Sequence, residues 1–373
     1  VAATEHPGTG SRTHRGRLAV FPVYRDNPYL NTLLLAPRAT GWVVHESARL
    51  ERFERDVERL AGGDVLHVHW TAPIVQRADD RTEAAERLGR FRTAVDAARG
   101  RGASTVWTVH NALAHDVRHE DLEIELNRYL AATVDVVHVL NSRTADVVAP
   151  FYDLSARRVA HIPHPSYQGV YDGAGSRASA RADFGLGEGD RAVLFFGQVR
   201  PYKGLDVLFE ALGRSEDRGN LVLMLAGKTS PEDEAAIGGL LPDGLKTIRH
   251  HGYVEDADVE KWFDAADVVV LPYRRILNSG SLHLAGTFGV PTILPDEPHL
   301  RSDFGDEPWI RWFRPGDAGS LARRLSEPLP ERDRSGRFAH RLAPFDVSRR
   351  YAELLAALVD TIPGAARTTD PAA

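Results

Sequence analysis

The sequence predicts an α/β protein of two Rossmann-like domains, each a doubly wound parallel sheet, facing each other across a cleft. Three observations carry this: the length, an alternation of short β-branched runs with amphipathic stretches, and a mid-chain break after which that alternation restarts. The 373 residues exceed one ordinary domain and suit two of roughly 150–200 residues. In the first half, 17–24, 41–45, 64–69, 104–110 and 134–140 read as buried strands. Helical spacing runs through 79–101 and 119–132, with Leu88, Phe91, Val95 and Ala98 on one face. Strands separated by helices of that length imply βα crossovers and a parallel sheet.

Residues 163–192 break the rhythm with Gly, Ser, Ala and charge, as a linker followed by a short helix would. Strands are then expected at 192–197, 220–226, 246–251, 267–271 and 291–294, alternating with helices at 203–213, 232–241, 256–265 and 280–288. A closing amphipathic helix over 347–362 places Tyr351, Leu354, Leu355 and Leu358 on one side. The domain assignment is therefore a leader at 1–16, a first domain at 17–170 and a second at 175–344. The leader and the last eleven residues are expected to be disordered.

Composition narrows the function. With no cysteine, disulfides, thiolate catalysis and Cys-ligated metals are excluded. No apolar run approaches the ~18 residues of a membrane span, and residues 1–16 lack the apolar core of an export signal, so a cytoplasmic location is expected. A net charge of −6 argues against a nucleic-acid partner. Arginine so outnumbers lysine that the four lysines, at 203, 228, 246 and 261, merit individual inspection.

Ligands of open parallel sheets bind beyond the carboxyl ends of the strands, so chemistry is sought at strand-to-helix junctions. The strongest is FFGQVRPYKG, 195–204. Gly197 lets backbone approach a bulky anion, Arg200 offers a bidentate hydrogen bond to phosphate oxygens, and Lys203 adds a point charge. A helix expected to start near Lys203 adds N–H groups and a positive dipole end. Cations fixed there stabilise a nucleoside-diphosphate leaving group most as its charge develops. The second junction is LPYRRILNSGSLHLAGTFGVP, 271–291, where Asn278, Ser279, Gly280 and Ser281 open a helix without carboxylates and make an anion cradle. Ser279 or Ser281 alone would serve equally as an N-cap.

Three histidines end N-terminal strands. His67 and His69 point to one face of DVLHVHW, and His110 closes STVWTVH. Three histidines suit zinc, but no carboxylate or cysteine stands at ligand spacing, so no metal is expected. His110 is read as a cleft residue touching sugar hydroxyls or the reacting centre, while His67 and His69 serve packing as readily. His164, in IPHPSY, lies at the domain junction. On the acceptor side, Asn27, Tyr29 and Asn31 follow the first strand in RDNPYLNT, which an Asn-Pro turn explains almost as well.

Together, FFGQVRPYKGLDVLFEAL, GYVEDADVEKWFDAADVVVLPY and SGSLHLAGTFGVPTI resemble the donor-binding domain of GT-B glycosyltransferases, close to the family-four (glycosyl transferases group 1) bacterial enzymes, over about 160 residues. HVHW, TVHN and IPHPSY extend the resemblance more loosely into the first half. It implies a metal-independent hexosyltransferase with no cofactor, using a UDP- or GDP-linked sugar as donor. The acceptor is a hydroxyl of a glycan, a lipid-linked or a small-molecule compound. The resemblance puts Arg200 and Lys203 on the donor diphosphate, Ser279 to Ser281 on its phosphates, and Tyr253 and Val254 near the nucleobase. It places His110 on the donor sugar, and the 345–362 helix back on an acceptor-binding first domain where His69 and His164 stand with Asn27 and Tyr29. The family's paired glutamates are absent: Ile276 and Leu284 occupy those positions, and Pro165 replaces a common glycine. Ribose recognition and retention of anomeric configuration therefore do not carry over. If the enzyme inverts, Asp116 and His115 are the candidate bases.

Competing expectations are a sugar-nucleotide-binding protein without transfer and a GT-B epimerase. An epimerase would bring several cleft carboxylates, yet few stand at strand ends beyond Asp26, Asp116 and Asp296. A lipid-linked acceptor implies peripheral contact with the inner membrane face through the arginines of 77–101. Asp79, Asp80, Glu83 and Glu86 favour reading that helix as a solvated face instead.

Overall fold

The computed structural model describes residues 14–24, 27–114, 116–154, 158–171, 175–215, 218–333 and 335–360. Twelve strands form two six-stranded parallel sheets. The first holds β1 (Gly16–Phe21), β2 (Trp42–Glu46), β3 (Val65–Val68), β4 (Ser104–Val109), β5 (Val136–Val139) and β6 (Val159–His161), in the order β2-β1-β3-β4-β5-β6. The second holds β7 (Arg191–Phe196), β8 (Leu221–Ala226), β9 (Lys246–His250), β10 (Val268–Val270), β11 (Thr292–Pro295) and β12 (Ile310–Phe313), in the order β12-β11-β10-β7-β8-β9. Both are the doubly wound sheets that the alternation predicts.

The inner strands are largely apolar because helices cover both faces, while the edge strand β9, KTIRH, stays polar and exposed. In the first sheet, Ala19 and Phe21 face one layer with Phe53, Phe91 and Trp107, while Leu18 and Val20 face the other with Tyr29 and Val106. The closing helix, Pro344–Asp360, seals that second layer with Val347, Tyr351, Leu355 and Leu358. The last helix thus packs on the first half of the chain. Ser348 fastens it, accepting from Ala36 N and donating to Leu33 O, both at 2.7 Å. Deeper in, Tyr351 Oη meets His67 Nδ1 at 2.5 Å, and His67 Nε2 meets Thr108 Oγ1 at 2.6 Å. His67 is a satisfied core residue. Tyr351→Phe should therefore cost about 1–3 kcal/mol in denaturant unfolding by leaving a buried ring nitrogen unpaired. A change below experimental error would show that this contact is not made.

Three boundaries differ from the sequence reading, each for a local reason. β1 starts at Gly16, inside the expected leader, and Arg15 N already donates to Gly41 O; residues 1–13 lie outside the described residues. The closing helix starts at Pro344, where a missing N–H costs nothing. The helix expected from 203 starts at Leu205, because Pro201–Lys203 forms a 3-10 turn and Gly204 adopts φ 68°. No β-carbon fits there, since it would lie 2.2 Å from Pro272 O.

The arginine-rich helix, Arg81–Gly100, knits the first half together. Arg81 pairs with Asp121, Arg87 with Glu83, Arg90 with Glu54 and Arg92 with Glu125. Most of its cations are thus spent internally. Among the described residues no helix is long and apolar enough to cross a membrane.

Candidate active site

In the second sheet the strand order reverses between β10 and β7, the switch point at which open parallel sheets form a ligand crevice. The two sequence-predicted junctions are the walls of this crevice. Gly197, at the end of β7, has φ 116°, and a β-carbon there would stand 3.1 Å from both Lys203 Nζ and Ser281 Oγ. A bare stretch of backbone, an ammonium and a hydroxyl therefore share one spot. Lys203 is only 8% exposed, with its Nζ 5.8 Å from the Phe195 ring centre and 5.5 Å from that of Tyr273. Those rings partly offset the cost of burying the charge. The nearby carboxylates are engaged elsewhere, Asp116 with Arg200 at 3.4 Å and Asp206 with Arg274. Lys203 is left without a carboxylate partner among the described residues.

The loops after β7 and β10 are stitched together, since Arg274 N donates to Tyr202 O at 2.8 Å. Ser279 caps the Gly280–Thr287 helix, accepting from Leu282 N, and Ser281 Oγ donates to Phe196 O at 2.8 Å. Both hydroxyls thus hold structure while lining the crevice. Asn278 reaches across to the first half, its Nδ2 donating to His110 O at 3.0 Å. Val254 is buried, whereas Tyr253 is exposed at the surface with its hydroxyl donating to Asp256 Oδ1.

On the facing side, strand ends gather an aromatic cluster. His110 stacks on Trp70 with ring centres 4.2 Å apart, and its Nε2 lies 3.0 Å from His69 Nδ1. Tyr29 meets His110 edge-on at 5.3 Å and His164 at 4.9 Å, and His164 continues to His283 of the second half at 4.4 Å. His164 is therefore a packing bridge between halves. Burial, reinforced by neighbouring imidazoles, holds His69 and His110 well below the usual histidine range, and burial brings His164 down to about 4. Asn27 serves as an N-cap, accepting from Tyr29 N at 3.1 Å, while Tyr29 and His69 are almost fully buried. Asp26 and His115 lie outside the described residues.

Two features escaped the sequence reading. Glu123 is fully buried, accepting from Thr71 Oγ1 and from Gln76 Nε2, whose own Oε1 accepts from Arg118 N and His119 N. This relay holds the backbone of Arg118 and His119; burial pushes the Glu123 carboxyl up. Its signal was a polar residue on the buried stripe of Glu120–Thr133, one helical turn before Asn127. The second feature is Leu277, which packs into the core of the first half. Beside it, a cleft of about 500 Å³ opens between the halves, lined by Ala112, Leu113, Phe151, Tyr202 and Ile276.

Residues 190–329, which contain both crevice loops, match the family model described as glycosyl transferases group 1. The chain is also 24% identical over 274 residues to a GDP-mannose:glycolipid 4-beta-D-mannosyltransferase of Xanthomonas campestris pv. campestris, covering 74% of this chain and 71% of that one. The second half of the chain carries a glycosyl transferases group 1 domain. A D-inositol 3-phosphate glycosyltransferase of Streptomyces avermitilis is 30% identical to this transferase over 154 residues, 38% of this chain and 33% of the relative. The fold is GT-B. Anabaena HepE in complex with UDP-glucose superposes on the transferase with a TM-score of 0.68 at 12% identity, covering 92% of this chain and all of that one. Sucrose-phosphate synthase of Thermosynechococcus elongatus gives 0.60 at 17% identity, over 92% and 95% of the two chains.

Proposed function

We propose that this glycosyltransferase moves a hexose from a nucleoside-diphosphate sugar to an acceptor hydroxyl, with the diphosphate seated in the β7–β10 crevice. The observation that carries this is the convergence of Lys203 Nζ and Ser281 Oγ on the backbone of Gly197. A buried ammonium beside half-buried glycine backbone and a helix start is complementary to a compact anion. Arg200 completes the site by exchanging Asp116 for phosphate oxygens, a bidentate partner for its planar fork. These charges do for the leaving group what a divalent ion does elsewhere, so transfer proceeds without metal. Val254, with Tyr253 at the rim, lies toward the nucleobase, and His110 faces the reacting sugar from the first half.

The acceptor docks on the first half, along the loop after β4. The names of the relatives support a sugar-nucleotide donor and a hydroxyl-bearing acceptor: one names GDP-mannose and a glycolipid, another D-inositol 3-phosphate. HepE in complex with UDP-glucose shows the same fold holding a sugar nucleotide. UDP- and GDP-sugars are accordingly the donors to test. The position of Ile276 and Leu284, where the family's glutamates would stand, leaves no carboxylate there for the ribose.

Gly197→Ala tests the carrying observation directly. A methyl group would sit 3.1 Å from both Lys203 Nζ and Ser281 Oγ, at a φ of 116° that side chains rarely adopt. Affinity for UDP-glucose and GDP-mannose, read by calorimetry, should fall at least about tenfold, the loss of one charge-assisted contact. Binding as tight as that of the unsubstituted chain would remove the diphosphate from this crevice.

A further inference from the structure

The 3.0 Å contact between His69 Nδ1 and His110 Nε2 holds one proton, and which ring supplies it decides what His110 can do. His69 is 1% exposed, and its other nitrogen, Nε2, is buried with no hydrogen-bond partner among the described residues. If His110 Nε2 carries the proton, His69 must be protonated on Nε2, and a buried N–H is left with nothing to bond. If His69 Nδ1 carries it, only a bare lone pair is stranded. Orphaned buried N–H groups are the rarer kind in folded proteins. The second arrangement therefore wins, and it makes His110 the tautomer protonated on Nδ1. Trp70 stacked at 17° and Tyr29 edge-on at 86° keep the ring from turning over.

We propose that His69 is a positioning residue that fixes His110 in its Nδ1–H form, so that His110 gives the cleft a hydrogen-bond donor and not a base. His110 Nδ1 is the nitrogen that His69 leaves free, and its N–H is suited to a sugar hydroxyl or a bridging oxygen that gains charge as the glycosidic bond breaks. The role rests on the sugar-transfer reading; the tautomer does not. The proton lost by the acceptor must then be taken by a group other than His110.

The test is nitrogen NMR on the full chain labelled with 15N-histidine, with His110 and His69 assigned by their loss in His110→Asn and His69→Asn. Protonated and bare ring nitrogens resonate apart, so the spectrum reads the tautomer without any donor. Protonation on Nδ1 of both rings is expected; a proton on His110 Nε2 overturns the proposal. A second arm uses turnover of UDP-glucose and GDP-mannose. Asparagine can set its amide nitrogen where Nδ1 stood, so His110→Asn should keep within about tenfold of the parent rate, while His110→Ala loses about 100-fold. His69→Ala should lower kcat with little change in KM, and His69→Asn should restore most of it. Equal inactivity of His110→Asn and His110→Ala, as removal of a base would give, sinks the donor role. Turnover of neither sugar nucleotide by the parent chain counts against the sugar-transfer reading, and the spectrum still decides the tautomer.

Discussion

Lys203→Ala is expected to weaken binding of the sugar-nucleotide donor by roughly 10- to 150-fold, the 1.5–3 kcal/mol of a hydrogen bond to a charged group. The reason lies in what surrounds the ammonium. It is buried against Phe195 and Tyr273, with Asp206 and Asp116 already paired to arginines. Its charge is only partly compensated by these rings, so a diphosphate gains more here than it would from a solvated surface lysine. Because the charge on the leaving group grows toward the transition state, kcat/KM should fall further than affinity does. Lys203→Met separates charge from packing, since the thioether keeps most of the buried stem. Calorimetry with UDP-glucose and GDP-mannose, together with a thermal unfolding curve, reads both quantities. Donor affinity unchanged in both variants would place the diphosphate elsewhere and end the assignment.

β7 and β10 were legible because buried parallel strands are continuous apolar runs, and their junctions because Gly197, Arg200, Lys203 and Ser279 to Ser281 are local signals. Their convergence came only from the family resemblance, for it depends on β7 pairing with both β8 and β10, across 71 residues of intervening chain in the second case. HVHW illustrates the limit most clearly. Alternation puts His67 and His69 on one face, but their fates diverge through partners far along the chain. Tyr351, from the closing helix, satisfies His67, while His110 takes one nitrogen of His69 and leaves the other bare. Glu123 was hidden because EDLEIEL reads as a solvated helix face until Thr71 and Gln76 are brought against it. Leu277 was hidden because the pattern shows that a residue is apolar, not which half of the molecule buries it.

Those buried histidines carry the second large expectation, which is a steep loss of stability in mild acid. Burial brings His138 and His164 down to about 4, and it holds His67, His69, His110 and His283 well below the ordinary 6.5. The folded chain therefore keeps these rings neutral while the unfolded chain protonates them. Below 6.5 the unfolded state binds the extra protons, so stability is complete above that pH and declines as the pH drops toward 4. Each such ring costs about 1.4 kcal/mol per pH unit in that window. At pH 5 His138 and His164 alone account for about 4 kcal/mol, a large share of the roughly 5–15 kcal/mol that holds a domain folded. The other four deepen the loss, while Glu123, whose carboxyl is pushed up, opposes it weakly. Urea unfolding should show a free energy that is highest at pH 7.5, lower by at least about 1.5 kcal/mol at pH 6.0 from His138 and His164 alone, and lower again at pH 5.0. A free energy that stays level down to pH 5.0 would mean that these rings are hydrated and charged, and that the cluster joining His69, His110 and His164 is not buried.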